Sequence, residues 1–230
     1  MLAAPFEFML LVWRNLRRHL LRSILTVLGV GVALFAFCMI RTIVGGWYSG
    51  VEATAKNRMV VRNAVSIIFY LPLAYRETIA RTPGVAKVGY GNWFGGIYVD
   101  KKNMVAQFAV DNNYLDLCPE YILAPEAKES WLASRKGILA GEEFAKEFGI
   151  KTGDVLQLQG TIFPGLWEFE VKGIFKGRDA ITDTRLLFFH WDYLNERNKA
   201  EIRRNPDYAG FYLLEIAPGA NPADVGKAVD

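Results

Sequence analysis

The chain has 230 residues, of which 52% are apolar and 22% charged, with a formal net charge of +3. That length holds one large domain or two small ones, and the composition is that of a folded chain rather than a disordered one. Two cysteines exclude a disulfide-dense scaffold, and two histidines leave little for a metal or acid–base site.

The first 22 residues are predicted to form a basic amphipathic helix. Phe6, Met9, Trp13, Leu16 and Leu20 fall on one side of it, and Glu7, Arg14, Asn15, Arg18 and Arg22 on the other. Such a helix suits the headgroup region of a membrane, or the start of a longer helix touching partner helices. Ser23–Ile40 is then an uncharged run of 18 residues, SILTVLGVGVALFAFCMI, long enough to cross a bilayer. A cleaved signal peptide has a shorter apolar core and a small-x-small cleavage site. Cys38-Met39-Ile40-Arg41-Thr42 has no such site, so residues 23–41 read as a retained transmembrane helix.

Charge sets the orientation. Arg14, Arg17, Arg18 and Arg22 precede the run, whereas after Arg41 the next basic residue is Lys56. The positive-inside rule keeps the N-terminus cytoplasmic in a bacterial inner membrane and places residues 42–230 outside. Residues 1–40 hold four Arg and one Glu, and residues 42–230 hold 22 basic against 23 acidic side chains. The excess positive charge therefore belongs to the anchor, and nucleic acid is not an expected partner. Along the span Arg22, Thr26, Gly29, Ala33, Ala36 and Ile40 recur at spacings of four and three. The small residues Thr26, Gly29, Ala33 and Ala36 form a seam where a partner helix could pack closely. Trp47 and Tyr48 suit the outer interfacial belt, as Trp13 and the four arginines suit the inner one.

Residues 42–57 are expected to continue the helix as a stalk, with Gly45-Gly46 as its weak point. Met59–Phe69 reads as extended. A helix is expected from Pro72 through LAYRETIART to Pro83-Gly84. Val85–Val99 reads as a glycine-interrupted strand, 100–103 as a turn and Met104–Val110 as a strand. Asn113–Leu117 and Pro125–Ala133 look helical, Gly137–Ala140 is a short strand, and Glu142–Phe148 is a helix ended by Gly149. A turn at 151–154 leads to alternating strands Val155–Ile162 and Trp167–Phe175, a hairpin about Pro164-Gly165. Strand Leu186–His190, short helix Trp191–Arg197 and strand Tyr208–Ile216 follow. Asn221 is a plausible N-cap with Pro222 at the first helical position. The fold class is α+β, with 58–112 and 205–230 as a membrane-proximal strand–helix–strand part and 113–204 as a distal β-rich part. A helix begun within the last nine residues reads as the beginning of a further element.

No catalytic motif stands out: HExxH, CxxC, GxSxG and a P-loop are all absent. His190 in FFHWDY reads as a packed residue, Cys118 as a buried small hydrophobe, and Glu142-Glu143, Glu168 and Glu170 as solvated faces. Gly89–Gly96 (GYGNWFGG) reads as a closely packed strand. Neither a cofactor nor a metal is expected.

Four stretches resemble the FtsX-like, or MacB/LolC-like, permease subunits of ABC transporters: VWRNLRRHLLRSILTVLGVGVAL at Val12–Leu34, ETIARTPGVAKV at Glu77–Val88, AGEEFAKEFGIKTGDVLQL at Ala140–Leu158, and PGANPADVGKAVD at Pro218–Asp230. The resemblance implies a MacB-like periplasmic core domain between membrane helices one and two, with three further helices to follow. It also implies a separate ABC ATPase subunit, and a second permease copy or related permease subunit. The rival reading is a single-pass sensor or scaffold with an extracytoplasmic recognition domain.

Overall fold

Leu20–Ala53 forms one unbroken α-helix of 34 residues, α1. Its Leu20–Gly45 portion, 26 residues long, is apolar enough to cross a membrane. At the α-helical rise that portion is about 39 Å long, longer than a ~30 Å hydrocarbon core. The helix runs through Gly45-Gly46 without a break. The computed structural model describes residues 13–14, 17–53, 57–66, 69–100, 105–202 and 206–229, apart from the side chains of 46–53. The expected helical faces at Phe6, Glu7, Met9, Asn15 and Leu16, the turn at 101–103 and Met104 lie outside them. The chain divides into two compact units, Met1–Thr54 and Ala55–Asp230.

The second unit is built on a mixed ten-stranded sheet. Its strands are β1 (Arg58–Val61), β3 (Val85–Trp93), β4 (Gly96–Ile97), β5 (Ala106–Val110), β6 (Tyr121–Ile122), β7 (Gly137–Gly141), β8 (Val155–Gly160), β9 (Gly165–Gly177), β10 (Leu186–His190) and β12 (Phe211–Ile216). Two short strands, β2 (Leu71–Pro72) and β11 (Tyr208–Ala209), pair with each other. The sheet order is β1-β12-β3-β5-β10-β7-β9-β8-β4, with β6 alongside the end of β9. β3 is third in that order and β4 last, yet only Phe94 and Gly95 separate them in sequence. The sheet must therefore curl until β4 returns to β3, which closes β3/β4, β5, β10, β7, β9 and β8 into a barrel. Gly95 makes the bend at φ +64°, a left-handed conformation costly for other residues.

Alternation fills the barrel. Leu156 and Leu158 on β8, Trp167, Phe169 and Val171 on β9, and Leu187 and Phe189 on β10 all point inward and are buried. Phe94 lies at the centre with no exposure, its ring 5.2 Å from those of both Trp167 and Phe189. On β9 the pairing shifts by one residue between Val171 and Gly173, a bulge that leaves Ile174 facing inward and turns Phe175 outward. Helix α3 (Pro125–Leu132) covers the outer face, where Trp131, Leu139, Phe175 and Phe188 are buried. Helix α4 (Glu142–Phe148) follows β7 and α5 (Trp191–Arg197) follows the antiparallel β10, so they cap opposite ends. Gly149, at φ +67°, stops α4 as the sequence predicts.

The other half of β3 belongs to a smaller layer, the wing. There β3 pairs with β12, and β12 pairs with β1 at the edge. Short α2 (Tyr75–Ala80) and α6 (Pro222–Val229) belong to this part, whose core is Ile79, Val88, Ala209, Tyr212 and Leu214. Asn221 Oδ1 accepts the Ala223 N–H at 3.0 Å, with Pro222 at the first helical position. Several expected boundaries move. Extended structure ends at Val61 instead of reaching Phe69. Leu71-Pro72 pairs with Tyr208-Ala209, so the helix expected from Pro72 starts at Tyr75. Asn113–Leu117 tightens to a 3₁₀ turn at Tyr114–Leu117, and a π-helical turn at Asn198–Ile202 extends α5.

Candidate functional site

The residues singled out by sequence fall on the first unit. Trp13, Arg14, Arg17 and Arg18 are helical, and the Arg17 guanidinium lies 5.4 Å from the Trp13 ring centre, a cation–π contact one turn apart. The Thr26 hydroxyl donates to the Arg22 carbonyl at 2.9 Å, and Thr42 does the same to Cys38 at 2.9 Å. Both polar side chains are thereby satisfied within the helix, as a hydrocarbon setting requires. At ~100° per residue Thr26, Gly29, Ala33 and Ala36 share an arc of about 80°. A Cβ added at Gly29 would meet nothing, so the seam is open along the described helix. Trp47 and Tyr48 are within α1, and their side chains lie outside the described residues.

The second unit contains two polar clusters that the sequence did not announce. The first surrounds Arg58, the first residue of β1. Its guanidinium donates to Glu120 Oε1 at 2.8 Å and to the Leu117 carbonyl at 2.9 Å. The side chains are 8% and 19% exposed. Burial works against the charge on Arg58, but the Glu120 carboxylate outweighs it and raises the Arg58 pKa. Arg58 Nε and Glu120 Oε2 are buried without a partner, so the pair is held but incompletely satisfied. Cys118 lies against it, buried as expected, its thiol pushed up to about 12 by burial and then by Glu120. This pair ties the edge strand of the wing to the segment leading into β6, and β6 pairs with the end of β9.

The second cluster sits where β5 and β10 end. Burial, partly offset by backbone N–H groups of Tyr90 and Asn113, raises the Asp111 carboxyl to about 6. The Tyr90 N–H approaches Asp111 Oδ1 at 3.3 Å, and the Tyr90 phenol is raised to about 12 by burial and then by Asp192 and Asp111. Arg76 lies 5.9 Å from the Tyr90 ring. His190 stacks on Trp131 at 4.1 Å, with Nε2 2.8 Å from the Trp131 carbonyl and Nδ1 3.0 Å from Asn112 Oδ1. Both ring nitrogens are committed to the fold, and burial lowers the pKa. His190 is thus the packed residue expected, with no nitrogen left for acid–base work on a substrate. The glycines of Gly89–Gly96 are tightly packed: a Cβ at Gly91 would come within 2.9 Å of the Ala109 carbonyl. Among the described residues no group of His, Cys, Asp and Glu is placed to hold a metal ion.

What these features belong to emerges from comparison. The family model described as the MacB-like periplasmic core domain matches residues 23–230. Among solved structures, the periplasmic region of MacB from Actinobacillus actinomycetemcomitans is similar in fold, with a TM-score of 0.56 and 13% identity over 78% of this chain and 83% of that one. The extracellular domain of the noncanonic ABC-type transporter YknZ from Gram-positive bacteria has a TM-score of 0.51 and 11% identity, covering 75% of this chain and 88% of that one. No curated protein matches the chain in sequence.

Proposed function

Because this chain belongs to the family of the MacB-like periplasmic core domain, we propose that it is the permease subunit of an ABC-type export or mechanotransmission system, in which hydrolysis by a separate ATPase drives movement of the periplasmic domain. The observation that carries the reading is the extent of the family match. It begins at residue 23, at the apolar run, and continues to residue 230, so anchor and core domain form one inherited unit.

In this reading the N-terminus is cytoplasmic in the inner membrane, Arg14, Arg17, Arg18 and Arg22 lie at anionic headgroups, and residues 42–230 are periplasmic. Trp13, Trp47 and Tyr48 sit in the two interfacial belts. Thr26, Gly29, Ala33 and Ala36 pack against a second permease copy or a related subunit. Residues 42–57 relay motion. An unbroken α1 supports that role, since a helix continuing to Ala53 carries a displacement about 12 Å past Gly45 at the α-helical rise. The periplasmic unit then acts in two parts, 58–112 with 205–230 nearer the membrane and 113–204 farther out.

The test is to purify the tagged full chain from its native membrane. An ABC ATPase should co-purify, and ATP with vanadate should change protease accessibility of residues 58–230. A chain that purifies without an ATPase, and whose accessibility ignores nucleotide, sinks the permease reading in favour of a sensor or scaffold. Gly29→Leu with Ala33→Leu should disrupt assembly, and unaltered assembly and activity would remove the seam. A cysteine in place of exposed Val155 should react in whole cells with a maleimide that cannot cross the membrane; protection there would reverse the orientation.

A further inference from the structure

Between β5 and β6 the chain crosses the wing. This strap, Asp111–Glu120, meets the three wing strands in order. At β3 it comes so close that a Cβ on Gly89 would stand 2.6 Å from Leu117 Cδ1 and 3.1 Å from Asp111 Oδ1. At β12 the ring centres of Tyr114 and Phe211 lie 6.1 Å apart, and Leu117 and Cys118 are buried with Leu213. At β1 the Arg58 guanidinium donates to both the Leu117 carbonyl and Glu120. β6 then carries the chain back to the barrel along the end of β9. The strap thus fastens the wing to the barrel, beside the strand β3 that both share.

Its two ends are held differently. The far end is the Arg58–Glu120 pair, in which opposite charges compensate. At the near end the Asp111 side chain is buried, and it makes no salt bridge among the described residues. Its carboxyl accepts from the Asn113 N–H and, at 3.3 Å, from the Tyr90 N–H. The backbone is tied at the same place: the Asp111 N–H donates to the Tyr90 carbonyl at 3.0 Å, and the Tyr114 N–H to the Asp111 carbonyl at 3.1 Å. Titratable groups face this end from four elements. Arg76 on α2 favours the ionised carboxyl, and Asp192 on α5 opposes it. The Tyr90 phenol on β3 stays neutral, raised to about 12. His190, ending β10, holds Asn112, the next residue of the strap. Burial outweighs all of these on Asp111. A buried charge with no ion-pair partner costs free energy that water would restore, so ionisation favours any state that lets water reach it.

We propose that the strap is a pH-sensitive clasp: with Asp111 protonated it lies closed over the wing, and with Asp111 ionised its near end opens while Arg58–Glu120 keeps the far end fastened. Closed, it holds wing and barrel together; open, it leaves β3 to carry the joint. This rests on contacts within residues 55–230 and not on the permease reading. The carboxyl is raised from 3.8 to about 6, so the closed strap binds the proton more tightly and opening gains as pH rises.

The experiment is hydrogen exchange of the full chain in detergent at pH 5 and pH 8, with and without sub-denaturing urea. The parent is compared with Asp111→Asn at each pH, so that intrinsic exchange rates cancel; the asparagine keeps Oδ1 as an acceptor. The amides of Tyr114 and Asp116, which donate within the strap, report its opening. They should exchange ahead of β9 and β10 through an opening that urea does not promote. At pH 8 they should exchange several-fold faster in the parent than in Asp111→Asn, and at pH 5 the gap should narrow. Gly89→Ala, whose methyl presses on Leu117 and Asp111, should speed their exchange at both pH values. Strap amides that exchange only with β9 and β10, with the same urea dependence, overturn the clasp, because Asp111 then acts on global stability alone. Equal exchange in the parent and Asp111→Asn at pH 8 overturns the role of the carboxyl, and strap protection unchanged by Gly89→Ala overturns the closed contact on β3.

Discussion

The wing and the barrel share one sheet and are stabilised by different means. The barrel buries large rings against one another, and the polar groups among them are paired: Gln107 both accepts from and donates to the Gly96 backbone, and Asn92 accepts from the Trp191 indole. The wing has three strands of the main sheet, the β2–β11 pair and two short helices, and part of its support is the Arg58–Glu120 pair with two unpartnered atoms. A closed layer of aromatics resists deformation because packed interiors have few alternative arrangements. A thin layer held partly by a buried charge pair has less apolar contact to lose. The element that follows α1 in sequence therefore enters the softer of the two regions.

The largest test of this contrast is Phe94→Ala. It removes the ring at the barrel's centre and should cost about 4 kcal/mol, read as a lower denaturation midpoint of the full chain in detergent. A cost below about 1 kcal/mol would mean the barrel is not the rigid part. Arg58→Ala comes next. It strands a buried carboxylate and should cost about 3 kcal/mol, while Arg58→Met with Glu120→Leu should recover most of the loss. Ile79→Ala should cost about 2 kcal/mol, and hydrogen exchange should rise in β1 and β12 well before it rises in β9 and β10. Equal rises in both regions would erase the distinction.

The smallest effect concerns pH. The carboxyl of Asp111 is raised in the folded protein from 3.8 to about 6, so the folded state binds its proton more tightly than the unfolded one. That contribution to stability is present below pH 3.8 and is lost as pH rises through about 6. Asp111→Asn should therefore stabilise the protein by about 1–2 kcal/mol at pH 8, by roughly half as much at pH 5, and by nearly nothing below pH 3.8. His190, whose pKa is lowered, works in the opposite direction: its contribution is present above the unfolded value and is lost as pH falls through and below it. The comparison of Asp111→Asn with the parent isolates the carboxyl from this background.

Local features of the fold were legible in the sequence. The strict alternation of Val155–Gly160 and of the first half of β9 fixed both the hairpin and its inward face. Gly149 and the Asn221-Pro222 step marked helix ends because capping is a matter of a few adjacent residues. The closure of the barrel was not legible. It depends on β4 pairing with β8, more than 60 residues onward, and a glycine-interrupted strand gives no sign that it bends between two partners. Arg58 with Glu120 was missed for the same reason, since nothing near either residue marks a partner 62 positions away. Met59–Phe69 was read as extended from its valines and isoleucines, but β propensity measures fit to a half-buried surface, and beyond Val61 the described chain leaves the sheet. On α1 the opposite holds: length, charge and spacing are properties of the segment itself.

Gly91 of β3 is paired with Phe211 on the wing side and with Val110 on the barrel side. One residue is thus a rung in two ladders. The barrel cannot be lifted out as a cassette, although most of its residues form a continuous insertion between β5 and β12. Any shortened version cut at that insertion would take β10 from β5 and β8 from β4, leaving both with bare backbone groups along one side, and so with an aggregation-prone edge. Recombination between members of such a family should therefore tolerate exchanges in surface turns such as that at 178–184 far better than exchanges of the whole lobe.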